Sequence, residues 1–394
     1  MKRSTERILT THAGALPRPD ELIRTVGGGA GTELARDGGP ELEAMLRRLV
    51  ADVVRRQVES GIDVINDGEY GKPSWTGYVS RRLAGFEVRP STTPPIFQTS
   101  YDMRQYTDYY GEAIREGTLW HRSVAQEAPP PSPIEYVCTA PITYAGQALI
   151  ERDIDNLRVA LKQTPAVEGF LPVAAPASVE VGRKNEYYKT EEEFVFALAE
   201  AMAEEYRAIT GAGFVVQIDD AWIPALWDQM LPDVDLVAYL KYCELRIEAL
   251  NHALAGVPEE LVRYHICWGS WHGPHVSDVP MKDILPLMLN VKAAAYVFEA
   301  ANVRHEHEYH LWEDVRLEEG KTLIPGVVSH ATNVVEHPEL VAERIIRFAE
   351  RAGKENVMAG TDCGLGGRVH PQVAWAKLGA LAEGARLASQ RLWR

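Results

Sequence analysis

Residues 262–270 read VRYHICWGS. The run opens on apolar and β-branched side chains and closes on two soft-metal donors, His265 and Cys267, followed by Gly269. A short apolar run with a polar exit reads as a strand buried on both faces, the pattern of a parallel sheet. Strand residues two apart share a face, so His265 and Cys267 can reach one ion. The C-terminal ends of barrel strands converge on a single mouth, where residues distant in sequence meet.

The same texture recurs along the chain. Strand-like runs are ILTTHAGAL (8–16), GIDVINDGE (61–69), IEYVCTAPI (134–142), FLPVAAPAS (170–178), GFVVQIDDA (213–221), AAAYVFEAA (293–301), LIPGVVSHA (323–331) and ENVMAGTDCG (355–364). Amphipathic stretches lie between most of them. PELEAMLRRLVADVVRRQVESG (40–61) puts Leu42, Met45, Leu46, Leu49, Val50 and Val53 on one face. TEEEFVFALAEAMAEEYRAITGAG opens on Thr190 with acidic residues and closes on Gly211, as a capped helix does. HPELVAERIIRFAERAGKEN (337–356) is a third. This alternation predicts an α/β chain with a parallel sheet. The number of units favours closure into a (β/α)8 TIM barrel spanning 1–394 as one domain. Nine runs are one too many, and either IEYVCTAPI or LIPGVVSHA is expected to lie outside the barrel.

One segment, about 87–133, breaks the rhythm. It carries Tyr101, Tyr106, Tyr109, Tyr110 and Trp120, then Pro129 to Pro131. It is too long for a plain loop. It reads either as an insertion packed on the barrel or on a second subunit, or as an aromatic lid over the mouth. The glycine-rich stretch from Gly27 to Gly39 reads as a flexible loop and lacks the context of a phosphate loop.

Composition narrows the function. A hydrophobic fraction of 46% supplies a large core, and a net charge of -15 argues against nucleic acid as a partner. No apolar run is long enough to cross a bilayer. The N-terminus has basic residues but no apolar core of a secretory signal, so the cytoplasm is expected. Four cysteines do not make a disulfide framework. Cys138 and Cys243 read as ordinary strand and helix core residues.

Two more donors follow apolar runs in the same way, Glu299 in YVFEAA and Cys363 in GTDCGLGG. With His265 and Cys267 they make a nitrogen, sulfur and oxygen set that suits Zn2+. Two thiolates and a carboxylate would bring three negative charges to a dipositive ion. Such a site is a weak Lewis acid toward water but keeps a guest thiol electron-rich and nucleophilic. The charge count therefore favours alkylation of sulfur over hydrolysis.

HIC, FEAA and GTDCGLG, with TTHAGALPRP (10–19), INDGEYGKPSW (65–75) and VVQIDDAW (215–222), resemble the catalytic barrel of the cobalamin-independent methionine synthases. The resemblance covers most of the chain. It implies that His265, Cys267, Glu299 and Cys363 bind the zinc that activates homocysteine. It implies that Glu69 and Asp219 hold the substrate amino group and that the backbone at Gly14 and Ala15 lies near its carboxylate, where the family more often has Gly-Ser. His330 matches the residue that delivers a proton during transfer. Long family members carry a further N-terminal barrel that helps bind polyglutamylated folate. This chain is similar to the short, stand-alone branch, which also holds epoxyalkane:coenzyme M transferases.

The expected reaction is therefore alkyl, first of all methyl, transfer from a small-molecule donor to a zinc-held thiol. The runner-up is epoxide opening by a thiol or the reverse carbon–sulfur lyase reaction. A zinc- and thiol-binding protein without turnover is the third reading. Carboxylates at the mouth favour a substrate ammonium; a sulfonate thiol would want cations, with Arg18 and Lys72 nearest. His305, His307 and His310 alternate with Glu306 and Glu308 and read as a solvated or interfacial edge before a second metal site, and His272 and His275 read as loop residues before contacts at the mouth. Trp75, Trp120, Trp268 and Trp271 are candidate apolar walls. The aromatic segment would also suit a homo-oligomer contact.

Overall fold

The structure is a computed structural model and describes residues 1–26, 39–91, 99–121 and 134–394. The glycine-rich stretch 27–38 and the proline run lie outside the described residues. The strands are β1 (Val64–Ile65), β2 (Leu83–Pro90), β3 (Ile134–Tyr144), β4 (Glu168–Ala174), β5 (Arg183–Asn185), β6 (Val215–Asp219), β7 (Val262–His265), β8 (Ala295–Phe298), β9 (Thr322–Val328) and β10 (Gly360–Thr361). Seven of them form one parallel sheet in the order β1-β4-β6-β7-β8-β9-β10. This curled, barrel-like sheet takes LIPGVVSHA as β9, whereas IEYVCTAPI becomes β3 of a separate sheet, β2-β3-β5.

Both edges of the large sheet bond to the same N-terminal segment. The amides of Asp63 and Val64 donate to the Thr10 carbonyl at 3.1 and 3.0 Å. On the other side Thr11 donates to Ala359 at 2.8 Å, and Ala359 donates to Leu9 at 2.9 Å.

Alternation along the strands sorts side chains into two cores. Val215 of β6, Ala295 and Val297 of β8, and Ile324 of β9 pack with Leu9, Val64, Phe170 and Met358 inside the curl. Val216, Ile218, Tyr296 and Phe298 face the surrounding helices. The same parity carries Asp219, His265 and Glu299 to the inside at the C-terminal strand ends.

The helices form as the patterns require. One spans Pro40–Glu59 and buries Leu46, Leu49, Val50, Val53 and Val54, with proline at its first turn. A second spans Glu191–Gly211, and the Thr190 side chain accepts from the Glu193 amide at 3.1 Å. Its left-handed turn falls at Gly213, φ 84°, two residues beyond the expected stop. A third, Pro338–Ala352, is capped by the His337 side chain.

The interruption begins earlier than the sequence suggests. β2 and β3 pair antiparallel around it, from Leu83↔Tyr144 to Pro90↔Ile134. Within it lie two short helices, Tyr101–Gln105 and Thr107–Glu116. Arg82, fully buried, anchors the base of this arm through Asp153 and Glu205, both at 2.6 Å. Among the described residues no helix is long and apolar enough to cross a membrane.

Candidate metal centre

His265 is the last residue of β7, and Cys267 lies two residues on, in the exit loop. Cys363 follows β10. Their ligand atoms all lie within 4.8 Å of one another. The two sulfurs are 3.6 Å apart, and both cysteines are free thiols. Tetrahedral zinc with bonds of about 2.3 Å to sulfur would set two sulfurs roughly 3.8 Å apart, so the pair fits that ion as it stands.

The imidazole is prepared for the same task. Asp219 ends β6 and is the direct neighbour of His265 in the parallel register. Its Oδ1 lies 2.9 Å from His265 Nδ1. A carboxylate there accepts the Nδ1 proton and leaves Nε2 with its lone pair facing outward. That Nε2 is buried and has no hydrogen-bond partner among the described residues. A buried nitrogen without a partner is costly in a finished core but is what a metal ligand needs. Burial lowers the proton affinity of His265, but the hydrogen bond and charge of Asp219 outweigh it and leave it raised.

Asp219 is itself held from inside the barrel. Gln217 Nε2 donates to its Oδ1 at 2.7 Å, and Arg263 Nε donates to Gln217 Oε1 at 2.6 Å. The Arg263 guanidinium also reaches Thr11 Oγ1 and the His12 carbonyl, and covers the Phe170 ring at 3.5 Å. Sequence reading assigned Asp219 to substrate alone and missed its grip on His265. The adjacent strand ends of VVQID and VRYH were the available signal.

The two thiols share their protons unequally. The neighbouring Cys267 thiol lowers Cys363 to about 6 against the opposing effect of burial, and the charges of His265 and Arg368 help. Cys267 is raised by the same contact and by burial. One sulfur is thus ready as a thiolate and its partner is poised to follow when a cation arrives.

Glu299 is held next door rather than within that trio. Its Oε1 accepts from the Trp268 amide at 2.9 Å and its Oε2 from Asn302 Nδ2 at 2.5 Å. Its carboxylate groups with His330 and Asp362, again within 4.8 Å. Burial, with the charges of Asp362 and Cys363, raises it well above the usual carboxylate range despite His305. Asp362 accepts from the amides of Ala300 and Ala301 at 2.7 and 2.8 Å. His330 is buried, and burial first, then Arg368 and nearby imidazoles, push it well below its ordinary value. It is a neutral imidazole, and the residues lining the mouth cavity do not include it.

That cavity is lined by Ala15, Glu69, Asp219, His265, Cys267 and Cys363, and by Trp75, Trp120, Trp222 and Trp271. Gly14 has φ 138°, and a Cβ there would meet Glu69 Oε1 at 2.3 Å, so only glycine fits beneath the carboxylate. Glu69 itself has φ 60°, an uncommon conformation for a non-glycine residue. The Glu69 amide donates to Asp67 Oδ1 at 3.0 Å and Arg18 donates to the Glu69 carbonyl at 3.1 Å, which holds the turn. Burial, aided by Asp219 and Asp67 and opposed by Lys72, pushes the Glu69 carboxyl up to about 7.

Several other expectations resolve. Arg18 is spent on the carbonyls of Pro73, Glu69 and Lys72, and Lys72 on that of Pro172, so neither extends into the cavity. His305 does not meet His307 and His310 at a metal. It pairs with Glu308 at 2.8 Å and Asp278 at 3.3 Å under the Trp268 ring, whereas His310 is exposed beside Glu313. Trp268 is a packing residue, with Nε1 on the Val279 carbonyl. His275 is engaged with Asp278 and the Trp271 carbonyl, and neither it nor His272 lines the cavity. Cys138 and Cys243 are buried elsewhere, Cys243 raised to about 12 by burial. Trp222 and Arg368 went unread in the sequence. Each follows a recognised donor within five residues, on the same strand exits as Asp219 and Cys363.

The described part of the aromatic segment packs on the loop that follows β7 and reaches the mouth. Tyr110 Oη donates to Asp102 Oδ2 at 2.7 Å and accepts from Trp271 Nε1 at 3.1 Å. Asp102 accepts from the amides of His275 and Val276, and His272 donates to the Leu119 carbonyl. Trp120 reaches the cavity itself.

With this geometry, similarity to known proteins becomes informative. Residues 177–386, more than half of the chain, match the family described as "Cobalamin-independent synthase, Catalytic domain". The chain belongs to that family. The match spans His265, Cys267, Glu299, Cys363, Asp219 and His330, and excludes Gly14, Ala15 and Glu69. Methionine synthase of Thermococcus kodakarensis is 26% identical over 98% of this chain and 94% of its own length. That of Saccharolobus solfataricus is 24% identical over 98% and 96%. A B12-independent methionine synthase from Shewanella sp. W3-18-1, solved in complex with selenomethionine, superposes with a TM-score of 0.73 at 19% identity, covering 98% of this chain and 99% of that one. That likeness establishes the family's α/β barrel-like architecture for this chain.

Proposed function

We propose that this chain is a methionine synthase-like methyltransferase that methylates the sulfur of homocysteine at a zinc site of His265, Cys267 and Cys363. The observation that carries the reading is the pair of sulfurs 3.6 Å apart beside the unpartnered buried Nε2 of His265. When bound there, zinc favours the deprotonated form of an incoming thiol while the sulfur-rich donor set leaves it nucleophilic. Glu299 is the fourth donor that the family resemblance supplies, held ready by Trp268 and Asn302. The chain is read as one domain, a closed (β/α)8 barrel whose eighth staves the sheet with Leu9–Thr11, on the strength of the bonds that segment makes to both sheet edges.

The remaining roles belong to the protein's own groups. Glu69 and Asp219 accept hydrogen bonds from the substrate ammonium, and Asp219 keeps His265 in the tautomer that offers Nε2. Trp75, Trp120, Trp222 and Trp271 exclude water and hold the donor's methyl carbon near the thiol sulfur. The new bond is sulfur to methyl carbon, and the bond that breaks joins that carbon to the donor's leaving atom. A leaving group that departs as an anion needs a proton, for which the family match offers His330.

Arg18 and Lys72, the cations expected for a sulfonate thiol, are engaged by carbonyls and lend that alternative no support. The test is product mass. Zinc-loaded protein with homocysteine and a methyl-folate or methyl-corrinoid donor should yield methionine. Turnover of a small epoxide with coenzyme M, and none of homocysteine with either donor, contradicts the proposal.

A further inference from the structure

The mouth holds a cation that no assigned role uses. Arg368 follows Cys363 by five residues and lines the cavity that Glu69 also lines, and the charges of Cys363, Cys267 and Glu69 act on it. Its Nε is bound to Ser270 Oγ, and its guanidinium lies over the Trp120 ring at 4.2 Å. Those two contacts fix the plane of the group. Among the described residues neither Nη1 nor Nη2 has a hydrogen-bond partner, and no carboxylate lies within ion-pair distance of it. A part-buried guanidinium positioned by a hydroxyl and an aromatic face, with two N–H edges unspent, suits a planar anion bound edge-on. Ala15, whose carbonyl accepts from the Gly366 amide at 2.9 Å, has no side-chain hydroxyl with which to share that task.

We infer that Arg368 is a specificity-determining residue that binds the α-carboxylate of an amino-acid thiol, completing a three-point grip. The ammonium goes to Glu69 and Asp219, the sulfur to the His265–Cys267–Cys363 centre, and the carboxylate to Arg368. This rests on the proposed function and names the feature of the substrate that the site selects. No bond is made or broken by Arg368. It is a positioning residue, and its loss should weaken the hold on one end of the substrate while leaving the metal in place.

The test is equilibrium binding of thiols to the zinc-loaded full chain by calorimetry, with zinc content and unfolding midpoint measured on every variant. The probes are L-homocysteine, its decarboxylated counterpart 3-aminopropane-1-thiol, and 2-mercaptoethanesulfonate. The wild-type protein should prefer homocysteine over the aminothiol by tenfold or more. Arg368→Gln should keep its zinc and bind the two within about twofold of one another, a loss of roughly 1.4 kcal/mol or more of discrimination, and Arg368→Lys should recover part of it. An undiminished preference in Arg368→Gln overturns the inference and leaves the proposed function standing. Wild-type protein that binds none of the three thiols overturns the proposed function itself. Preference for 2-mercaptoethanesulfonate over homocysteine contradicts the amino-acid substrate on which both rest.

Discussion

Two histidine clusters, one under the Trp268 ring and one at the mouth, differ in one respect. In the outer cluster His305 meets Asp278 and Glu308, and His275 meets Asp278 and the Trp271 carbonyl, so every ring nitrogen has a partner. In the mouth, His265 has Asp219 on Nδ1 and, among the described residues, nothing on Nε2, with two sulfurs beside it. Both clusters are buried and both join imidazole to carboxylate. The first is complete within the protein, and its charges cancel locally. The second is complete only with a cation. Unfilled coordination, rather than the presence of histidine and acid, separates a binding site from a structural one.

The largest expected effect is on the incomplete cluster. Cys267→Ala or Cys363→Ala removes a thiolate from a three-donor set, and zinc should fall to a small fraction of an equivalent after dialysis, by elemental analysis. Cys243→Ala should keep a full equivalent. Full zinc in both mouth variants would move the site elsewhere.

His305→Gln probes the complete cluster and should leave zinc untouched. Burial opposes the charged imidazole, but its hydrogen bonds to Asp278 and Glu308 raise His305 to about 10. A raised value means its contribution is full below the unfolded value near 6.5 and fades as pH climbs through about 10. Denaturant unfolding at pH 6 should show a loss of about 3–5 kcal/mol, shrinking above pH 10. A loss of zinc in this variant would erase the distinction between the clusters.

Asp219→Asn sharpens the comparison, because it weakens the hydrogen bond that Asp219 makes to the His265 ring. Zinc affinity should fall about 10–100-fold with the fold retained. An unchanged affinity would mean that His265 is oriented by packing alone.

The smallest effect is a pH profile. Glu69 is raised to about 7 by burial, so it is neutral below that and gains its charge as pH rises through it. The preference for homocysteine over propane-1-thiol, which lacks the ammonium and the carboxylate, should therefore increase several-fold between about pH 6 and pH 8. Glu69→Gln should flatten that rise. A profile in the variant identical to the wild type would take Glu69 out of ammonium binding.

Much of this was legible in the sequence, for physical reasons. Strand parity and short apolar runs mark which residues stand at strand exits, so His265, Cys267, Glu299 and Cys363 could be named together. IEYVCTAPI was ambiguous because a strand in a side sheet carries the same local texture as a barrel strand; only its pairing with Leu83–Pro90 distinguishes it. The division of labour around Asp219 depends on which strands are neighbours, and no periodicity encodes that. Arg368 escaped notice because a lone cation in a glycine-rich exit looks like surface until its partners, Ser270 and Trp120, are seen to come from elsewhere in the chain.

The central claim is that two thiolates and one imidazole from two strand ends, those of β7 and β10, hold a single divalent ion. X-ray absorption at the zinc edge of the loaded protein reads that directly. The account predicts two sulfur neighbours at about 2.3 Å and a nitrogen at about 2.0–2.1 Å. A shell of nitrogen and oxygen alone, or protein that retains no zinc, would contradict it.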